Sequence, residues 1–68
     1  MTDSHVTTLL KEIRTTAGET QEQVAKEVGV SRQTIISIEK GSYTPSVSLA
    51  LRLAKHFGLS VEKIFTYD

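Results

Sequence analysis

Only three residues separate two predicted helices in the middle of this chain, and so short a joint limits the fold more than any other feature. Thr20 and Gln23 have the spacing of a capping box, which predicts a helix over residues 21–28. A second helix is predicted over residues 32–40, after a serine cap. The joint is too short for the two helices to lie antiparallel, so we expect them to cross at a steep angle as a helix-turn-helix.

Further helices are predicted on both sides of this pair. A first helix begins near Thr8, a fourth opens at Pro45-Ser46 and reaches about Phe57, and a fifth runs from a Ser60 cap through Phe65. Extended segments are predicted only at the ends of the chain, over residues 5–7 and 66–68. The pattern therefore predicts an all-α fold, a compact five-helix bundle that forms a single domain over residues 1–68. Glycine, the residue favoured after a helix C-terminus, follows four of the helices, as Gly18, Gly29, Gly41 and Gly58.

The fourth predicted helix is expected to be the centre of the core. Apolar residues cover most of its circumference, which is typical of a helix that is buried against several others. They leave a narrow polar stripe of Ser48, Arg52, Lys55 and His56. The apolar residues are Val47, Leu49, Ala50, Leu51, Leu53, Ala54 and Phe57.

Composition excludes several classes of protein. The 68 residues include no cysteine, which excludes a disulfide framework and a zinc site built on thiolates. No stretch approaches the roughly 18 apolar residues of a membrane span, and no signal-peptide pattern is present, so we expect a cytoplasmic protein without a membrane partner. Lys and Arg together number 8, as do Asp and Glu. A chain of zero net charge can bind nucleic acid only if it gathers its cations on one face.

Residues 20–41 contain the run Thr20-Gln21-x-x-Val24-Ala25-x-x-x-Gly29-Val30-Ser31-x-x-x-Ile35-x-x-Ile38-Glu39-x-Gly41. This run resembles the helix-turn-helix of phage-repressor and Cro-like transcriptional regulators. The similarity extends through Leu10-Lys11-x-Ile13-Arg14 in the first helix and through Pro45-Ser46 to Ile64-Phe65 in the last two, and so covers roughly residues 8–65. The resemblance implies a minimal single-domain regulator, with the motif over residues 21–40 and no attached ligand or protease-like module. Val6 and Tyr67 resemble residues of members whose two termini pair as a small two-stranded β-ribbon.

The exposed face of the third helix carries the side chains that we expect to contact bases. Arg32 can donate two hydrogen bonds to guanine, and the amide of Gln33 can pair with adenine. The resemblance gives Ser37 a base-facing position, and Ile36 lies beside this face, where it can touch a thymine methyl group. The alternative for Arg32 and Gln33 is an ordinary solvated helix N-terminus. Ser37 and Ile36 have the alternative of lying at the edge of the core or of the DNA.

Five other residues are expected to contact DNA phosphates. The resemblance gives this role to Gln21, at a helix N-terminus where free N–H groups favour an anion. Ser31 can contact phosphate while it caps the third helix. Lys40, Ser42 and Tyr43 follow that helix, where the DNA backbone is expected to pass. The alternative readings are a plain helix-start residue for Gln21 and a cap alone for Ser31.

The resemblance also implies a partly buried ion pair between Arg14 and Glu39, which would tie the first helix to the end of the third. The alternative is two independent surface charges.

The working unit is expected to be a homodimer joined through the fifth helix and the C-terminal end. One recognition helix reads only a few base pairs, and the apolar residues near the C-terminus exceed what one short helix can bury. The predicted dimer residues are Leu59, Val61, Ile64, Phe65 and Tyr67. The alternative is that Ile64 and Phe65 complete the core of one protomer and that Tyr67 frays.

These observations together predict a sequence-specific, double-stranded DNA-binding regulator. Repression through a near-palindromic operator is the default, because nothing indicates an activation or effector domain. An antitoxin that binds a toxin and regulates its own promoter would share the same motif. The two histidines, His5 and His56, belong to no catalytic or metal-binding motif, so we expect no enzyme, no cofactor, no metal and no small-molecule ligand.

Overall fold

The computed structural model describes residues 5–67. Five helices follow one another along the chain, and a strand at each end pairs with the other. The elements are β1 (Val6–Thr8), α1 (Leu10–Thr16), α2 (Gln21–Val28), α3 (Arg32–Glu39), α4 (Val47–Phe57), α5 (Val61–Ile64) and β2 (Phe65–Tyr67). The predicted five-helix fold with a terminal β-ribbon is confirmed. No helix within residues 5–67 is long and apolar enough to cross a membrane.

Side-chain caps begin three of the helices. Thr20 and Gln23 form both bonds of the predicted capping box, since each side chain accepts a hydrogen bond from the other residue's backbone N–H. Ser31 and Ser46 each accept a hydrogen bond from the backbone N–H three residues farther on. Ser60 occupies the position before α5, but its hydroxyl makes no capping bond. The predicted cap at Ser60 is therefore a cap by position only.

The ribbon joins the two ends of the described chain. β1 and β2 are antiparallel, with Val6 opposite Tyr67 and Thr8 opposite Phe65. Each strand lies one residue away from its predicted position, and Asp68, which the prediction included, lies outside the described residues.

Two helix boundaries differ from the prediction because of the ribbon. Thr8, predicted to begin the first helix, lies in β1, and its hydroxyl donates to the carbonyl of Ile64 at 3.0 Å while it accepts from the N–H of Leu10 at 3.1 Å. α1 therefore begins at Leu10. Phe65, predicted to end the fifth helix, has extended backbone and begins β2.

The core is a single cluster to which all five helices contribute. Leu10, Ile35, Ile38, Leu53 and Ile64 are at most 1% exposed. Smaller residues of α2 pack between them, including Ala25, at the contact between α2 and α3.

The prediction that α4 is buried nearly all round is wrong. Val47 is 76% exposed and Leu51 is 56% exposed. α4 packs against α2 and α5, and these short helices cover only the face formed by Leu49, Ala50, Leu53 and Ala54. One side of α4 is therefore buried and the other is exposed, although apolar residues lie on most sides of the helix.

Candidate nucleic-acid interface

The joint between α2 and α3 has the predicted helix-turn-helix geometry. Gly29 lies in the left-handed region, with φ at +76°, which residues with a side chain adopt at a cost. The N–H of Val30 donates to the carbonyl of Ala25 at 2.9 Å, so the chain turns back over the end of α2. Val30 packs against the core, and Ser31 then caps α3. Three residues thus separate α3 from α2, and this turn fixes the direction of α3.

The packing of α3 decides which of its side chains face outward. Ile35 and Ile38 are buried and hold one side of the helix against the core. Arg32 and Gln33 are exposed, while Ile36 and Ser37 are partly buried. Because residues four apart lie on one face of a helix, Ile36 follows Arg32 and Ser37 follows Gln33 in two adjacent stripes. The structure therefore brings all four predicted base-contacting residues to one face.

Gln33 and Ser37 are also bonded to each other. The side-chain N–H group of Gln33 donates to the hydroxyl of Ser37 at 3.3 Å. An amide has a second N–H and a carbonyl oxygen, and these are the donor and acceptor that adenine requires in the major groove. The contact with Ser37 therefore orients Gln33 without using the atoms that would read a base.

The loop after α3 folds back against this helix. The backbone N–H and the hydroxyl of Ser42 both donate to the carbonyl of Ser37, at 3.0 and 3.1 Å. Tyr43, 45% exposed, lines a shallow groove beside α3 together with Ser42 and Ser31. Lys40 is exposed directly after the last residue of α3. Four of the five predicted phosphate-contacting residues thus lie along the helix or at its ends.

The predicted ion pair between Arg14 and Glu39 is present and is buried on both sides. Nε of Arg14 lies 2.7 Å from one carboxylate oxygen of Glu39, and Nη2 lies 3.2 Å from the other. Nη1 donates to the backbone carbonyl of Glu19 at 2.8 Å. The side chains are 10% and 4% exposed. The hydrogen bond to Glu39 raises the pKa of Arg14 above its ordinary value, against the opposing effect of burial.

Gln21, the fifth predicted phosphate contact, joins this pair. Its side-chain N–H group donates to the carboxylate of Glu39 at 3.1 Å, and its side chain is partly buried. The second N–H of the amide remains for another acceptor. The bond to Glu39 therefore fixes the orientation of Gln21 at the start of α2, a contact that the sequence did not predict.

Two contacts from the polar stripe of α4 were also missed. Nε2 of His56 lies 2.7 Å from a carboxylate oxygen of Glu19, and a guanidinium N–H of Arg52 donates to the backbone carbonyl of Val28. The spacing in the sequence places Arg52 and His56 on the polar side of α4. No sequence signal identifies a backbone carbonyl as a partner, because a carbonyl is the same at every residue.

The predicted dimer residues divide into a buried and an exposed group. Ile64 is 1% exposed inside the protomer, so its assignment to a dimer surface is wrong. Val61 and Phe65 are half-buried against the same core, which leaves them limited surface for a partner. Leu59 is 38% exposed and Tyr67 is 70% exposed, although Tyr67 is paired in the ribbon and does not fray.

An apolar groove lies at the end of α4, beside Leu59, which is one of the two exposed residues of this group. Leu9, which is 52% exposed, lines it together with Ile13, Ala17, Phe57 and Leu59.

Within residues 5–67, no three acidic or histidine side chains lie close enough together to hold a metal ion.

A three-residue turn thus precedes an α3 that is anchored by Ile35 and Ile38 and directs Arg32 and Gln33 outward. A sequence model described as helix-turn-helix matches residues 10–64. The chain belongs to the Cro/C1-type helix-turn-helix family. It is therefore a transcriptional regulator with a helix-turn-helix DNA-binding domain.

Relatives of this helix-turn-helix protein are found in archaea and bacteria. An uncharacterised HTH-type transcriptional regulator of Methanocaldococcus jannaschii is 56% identical over 59 residues, which are 87% of this chain and 89% of that one. A transcriptional repressor of the cryptic phage CTXphi in Vibrio cholerae is 29% identical over 81% of this chain and 50% of its own. The solved structure of the restriction-modification controller protein C.AhdI from Aeromonas hydrophila superposes with a TM-score of 0.74 and 30% identity, over 79% of this chain and 82% of that chain.

Proposed function

We propose that this helix-turn-helix protein is a repressor that binds a near-palindromic operator as a homodimer, with α3 in the major groove. The observation that carries the proposal is the outward face of α3, where Arg32, Gln33, Ile36 and Ser37 share one side while Ile35 and Ile38 hold the other to the core. Repression follows if the bound protein blocks access to the promoter. The phage repressor among the relatives supports this role.

Base reading is assigned to the first turn of α3 and phosphate binding to its surroundings. Arg32 suits guanine and Gln33 suits adenine, while Ile36 lies where it can touch a thymine methyl group. Phosphate contacts are assigned to Gln21, Ser31, Lys40, Ser42 and Tyr43. These contacts fix the position of the protein on the duplex and do not read its sequence.

A homodimer is proposed because one α3 is too short to select an operator. Its 8 residues span about 12 Å and meet only a few base pairs. Two recognition helices of a two-fold dimer must lie about 34 Å apart to enter successive major grooves on one side of the DNA. A dimer of two protomers, each 28 × 22 × 20 Å, is large enough to hold its two α3 helices at that spacing.

The dimer contact is assigned to the apolar groove at the end of α4. Leu59, one of the dimer residues predicted from the sequence, lines this groove. Phe57 of α4, Ile13 of α1 and Leu9, which precedes α1, line it as well. A second copy of the chain would cover Leu9 and Leu59, whose exposure is unusual for large aliphatic side chains clustered in one groove. No cofactor, metal or catalytic step enters this function.

Selection of bound duplexes from random DNA at one fixed salt concentration tests the proposal. Arg32→Ala and Gln33→Ala should each weaken binding to the selected operator by about 1–3 kcal/mol and relax the preference at one base position. Lys40→Ala is the matched control, because loss of a phosphate contact weakens all sequences alike and flattens the salt dependence by about one unit. If Arg32→Ala weakens operator and random DNA equally, its assignment to a base is wrong.

A further inference from the structure

We infer that Arg52 is a positioning residue, which holds the helix-turn-helix turn to α4 and so sets the angle at which α3 meets DNA. The inference rests on the proposed binding of α3 in the major groove. Arg52 belongs to neither element of the motif.

The contact is made with the last carbonyl of α2. Nη1 of Arg52 donates to the carbonyl of Val28. The carbonyls of Ala25 and Lys26 accept from the N–H groups of the turn. Among residues 5–67 the backbone offers Val28 no donor of this kind, as is usual for the final carbonyls of a helix. A cation at this end also interacts favourably with the dipole of α2.

Gly29 leaves the space that this contact needs. A Cβ atom at Gly29 would lie 3.3 Å from Nη1 of Arg52, which is closer than comfortable contact. The guanidinium therefore lies directly over the turn, on the side that glycine leaves bare. Gly29 thus provides the left-handed backbone of the turn and also leaves space for Arg52.

The part of α4 that carries Arg52 is anchored in the core. Leu49 and Leu53, which lie next to Arg52 along α4, are 3% and 0% exposed, so this part of α4 belongs to the core. Nε of Arg52 is directed to the carbonyl of Ser48 at 3.4 Å, one turn back in the same helix. The side chain of Arg52 thus connects a helix that is anchored in the core with the turn between α2 and α3.

The turn has a direct effect on base reading. Arg32 and Gln33, the two assigned base readers, are the first two residues of α3 and lie four and five residues after Val28. Base contacts require side chains held within roughly 0.5 Å of their productive geometry, whereas long side chains can adjust to reach a phosphate. Loss of the Arg52 contact should therefore reduce specific binding more than non-specific binding.

Arg52→Ala tests the inference, with Lys55→Ala as the control. Both changes remove one positive charge from α4, and Lys55 is an exposed residue less than one turn away. Dissociation constants are measured for the selected operator and for a random duplex of equal length, over a range of salt concentrations. Arg52→Ala should weaken operator binding about tenfold and random binding less than about twofold, with an unchanged salt slope, while Lys55→Ala leaves the ratio unchanged.

Two results would overturn the inference. If Arg52→Ala weakens binding to both duplexes equally and flattens the salt dependence of the affinity by about one unit, Arg52 is a phosphate contact. A lower melting temperature of Arg52→Ala, together with an unchanged ratio of operator to random-duplex affinity measured well below that temperature, would make the role of Arg52 structural only.

Hydrogen exchange without DNA separates this inference from the proposed function. The N–H groups of Gly29 and Val30 should exchange faster in Arg52→Ala than in the parent protein, and Arg52→Lys should restore part of the protection. Unchanged exchange in Arg52→Ala contradicts the inference whatever the DNA results. If the parent protein instead prefers no DNA sequence, the proposed function fails, and faster exchange still establishes the contact.

Discussion

Arg14 has a hydrogen-bond acceptor for each of its three guanidinium nitrogens, and all of these acceptors belong to the protein. Two nitrogens bind the carboxylate of Glu39 and the third binds the backbone carbonyl of Glu19. A charged group can be buried only when it is paired in this way. Glu39 accepts a further bond from Gln21, so one carboxylate joins α1, α2 and α3.

Arg14→Ala should therefore be strongly destabilising. Removal of one member of a buried ion pair costs about 3–5 kcal/mol, which in a domain of this size lowers the melting temperature by more than about 10 °C. Arg14→Lys keeps the charge without the forked geometry and should fall between the parent protein and the alanine variant. Thermal unfolding followed by circular dichroism measures all three. A shift of only a degree or two in Arg14→Ala would show that the pair adds little.

The same substitution has an expected dependence on pH. The pKa of Arg14 is raised in the folded protein. A raised pKa adds stability below the pKa of the unfolded state, and this stability is lost only as the pH rises through the folded pKa. The pKa of an arginine lies far above neutral pH in both the folded and the unfolded state. The difference in unfolding free energy between the parent protein and Arg14→Ala should thus stay constant from about pH 6 to about pH 10, as urea titrations at several pH values can measure.

At the scale of elements, the helix caps show how much of this fold a sequence can predict. α2 has the predicted bounds, and α3 differs from its predicted bounds by one residue at its end. These bounds could be predicted because a capping box, a serine cap and a glycine act within a few residues of the backbone groups that they satisfy. Thr8 and Phe65 were misplaced because the choice between helix and strand depends on a pairing partner at the other end of the chain. Local signals contain no information about that partner.

Ser46 and Ser60 offer a matched test of the caps. Both precede a helix, but only the hydroxyl of Ser46 accepts a hydrogen bond, from the N–H of Leu49 at 3.1 Å. Ser46→Ala should lower the free energy of unfolding by about 1 kcal/mol, whereas Ser60→Ala should change it by less than about 0.5 kcal/mol. Urea unfolding of the two variants compares them. Equal losses would mean that Ser60 also caps its helix in solution.

Gly29 and Gly58 form a second matched pair, at the ends of α2 and α4. Both have left-handed backbone, with φ at +76° and +67°, so alanine at either position should cost about 1–2 kcal/mol of stability. A Cβ atom at Gly58 meets nothing within 4 Å, but at Gly29 it crowds the guanidinium of Arg52. Gly29→Ala should therefore be the more destabilising change in urea unfolding. Equal costs would show that Arg52 moves aside freely.

For the whole molecule, the sequence predicted the family, the fold and the face of α3 better than it predicted exposure. Val47 and Leu51 are as apolar as their buried neighbours, and only the arrangement of the other helices leaves them uncovered. Ile64 was assigned to a partner, but it fills the core of its own protomer. Periodicity shows that a face is apolar and does not show which surface covers it. The bond between Gln21 and Glu39 was missed for a related reason, since it depends on how three helices meet.

The proposed dimer can be tested at the scale of the assembly. Leu59→Glu adds a carboxylate to a groove that Glu12 also lines, and it should shift the sedimenting species from a dimer toward the 7.5 kDa protomer at micromolar concentration. Val47→Glu, at the opposite end of α4 and 76% exposed, should leave the sedimentation unchanged. A parent protein that sediments as a protomer and still binds a full palindrome without cooperativity would contradict the dimer.

The pairing of Val6 with Tyr67 places the two ends of the described chain side by side. Because strand pairing in this ribbon needs both partners, removal of either strand removes the same interstrand hydrogen bonds. Because Val6 lies opposite Tyr67, a circularly permuted variant of residues 5–67 is feasible, in which a short linker joins residue 67 to residue 5 and a new opening is cut elsewhere. The exposed loop between α3 and α4 is a poor place for the new opening, because it lies beside the proposed DNA-binding face. The loop between α4 and α5, around Gly58, lies in no assigned DNA contact but contains Leu59 of the assigned dimer contact, so an opening there should weaken the dimer and leave the proposed DNA-binding face intact.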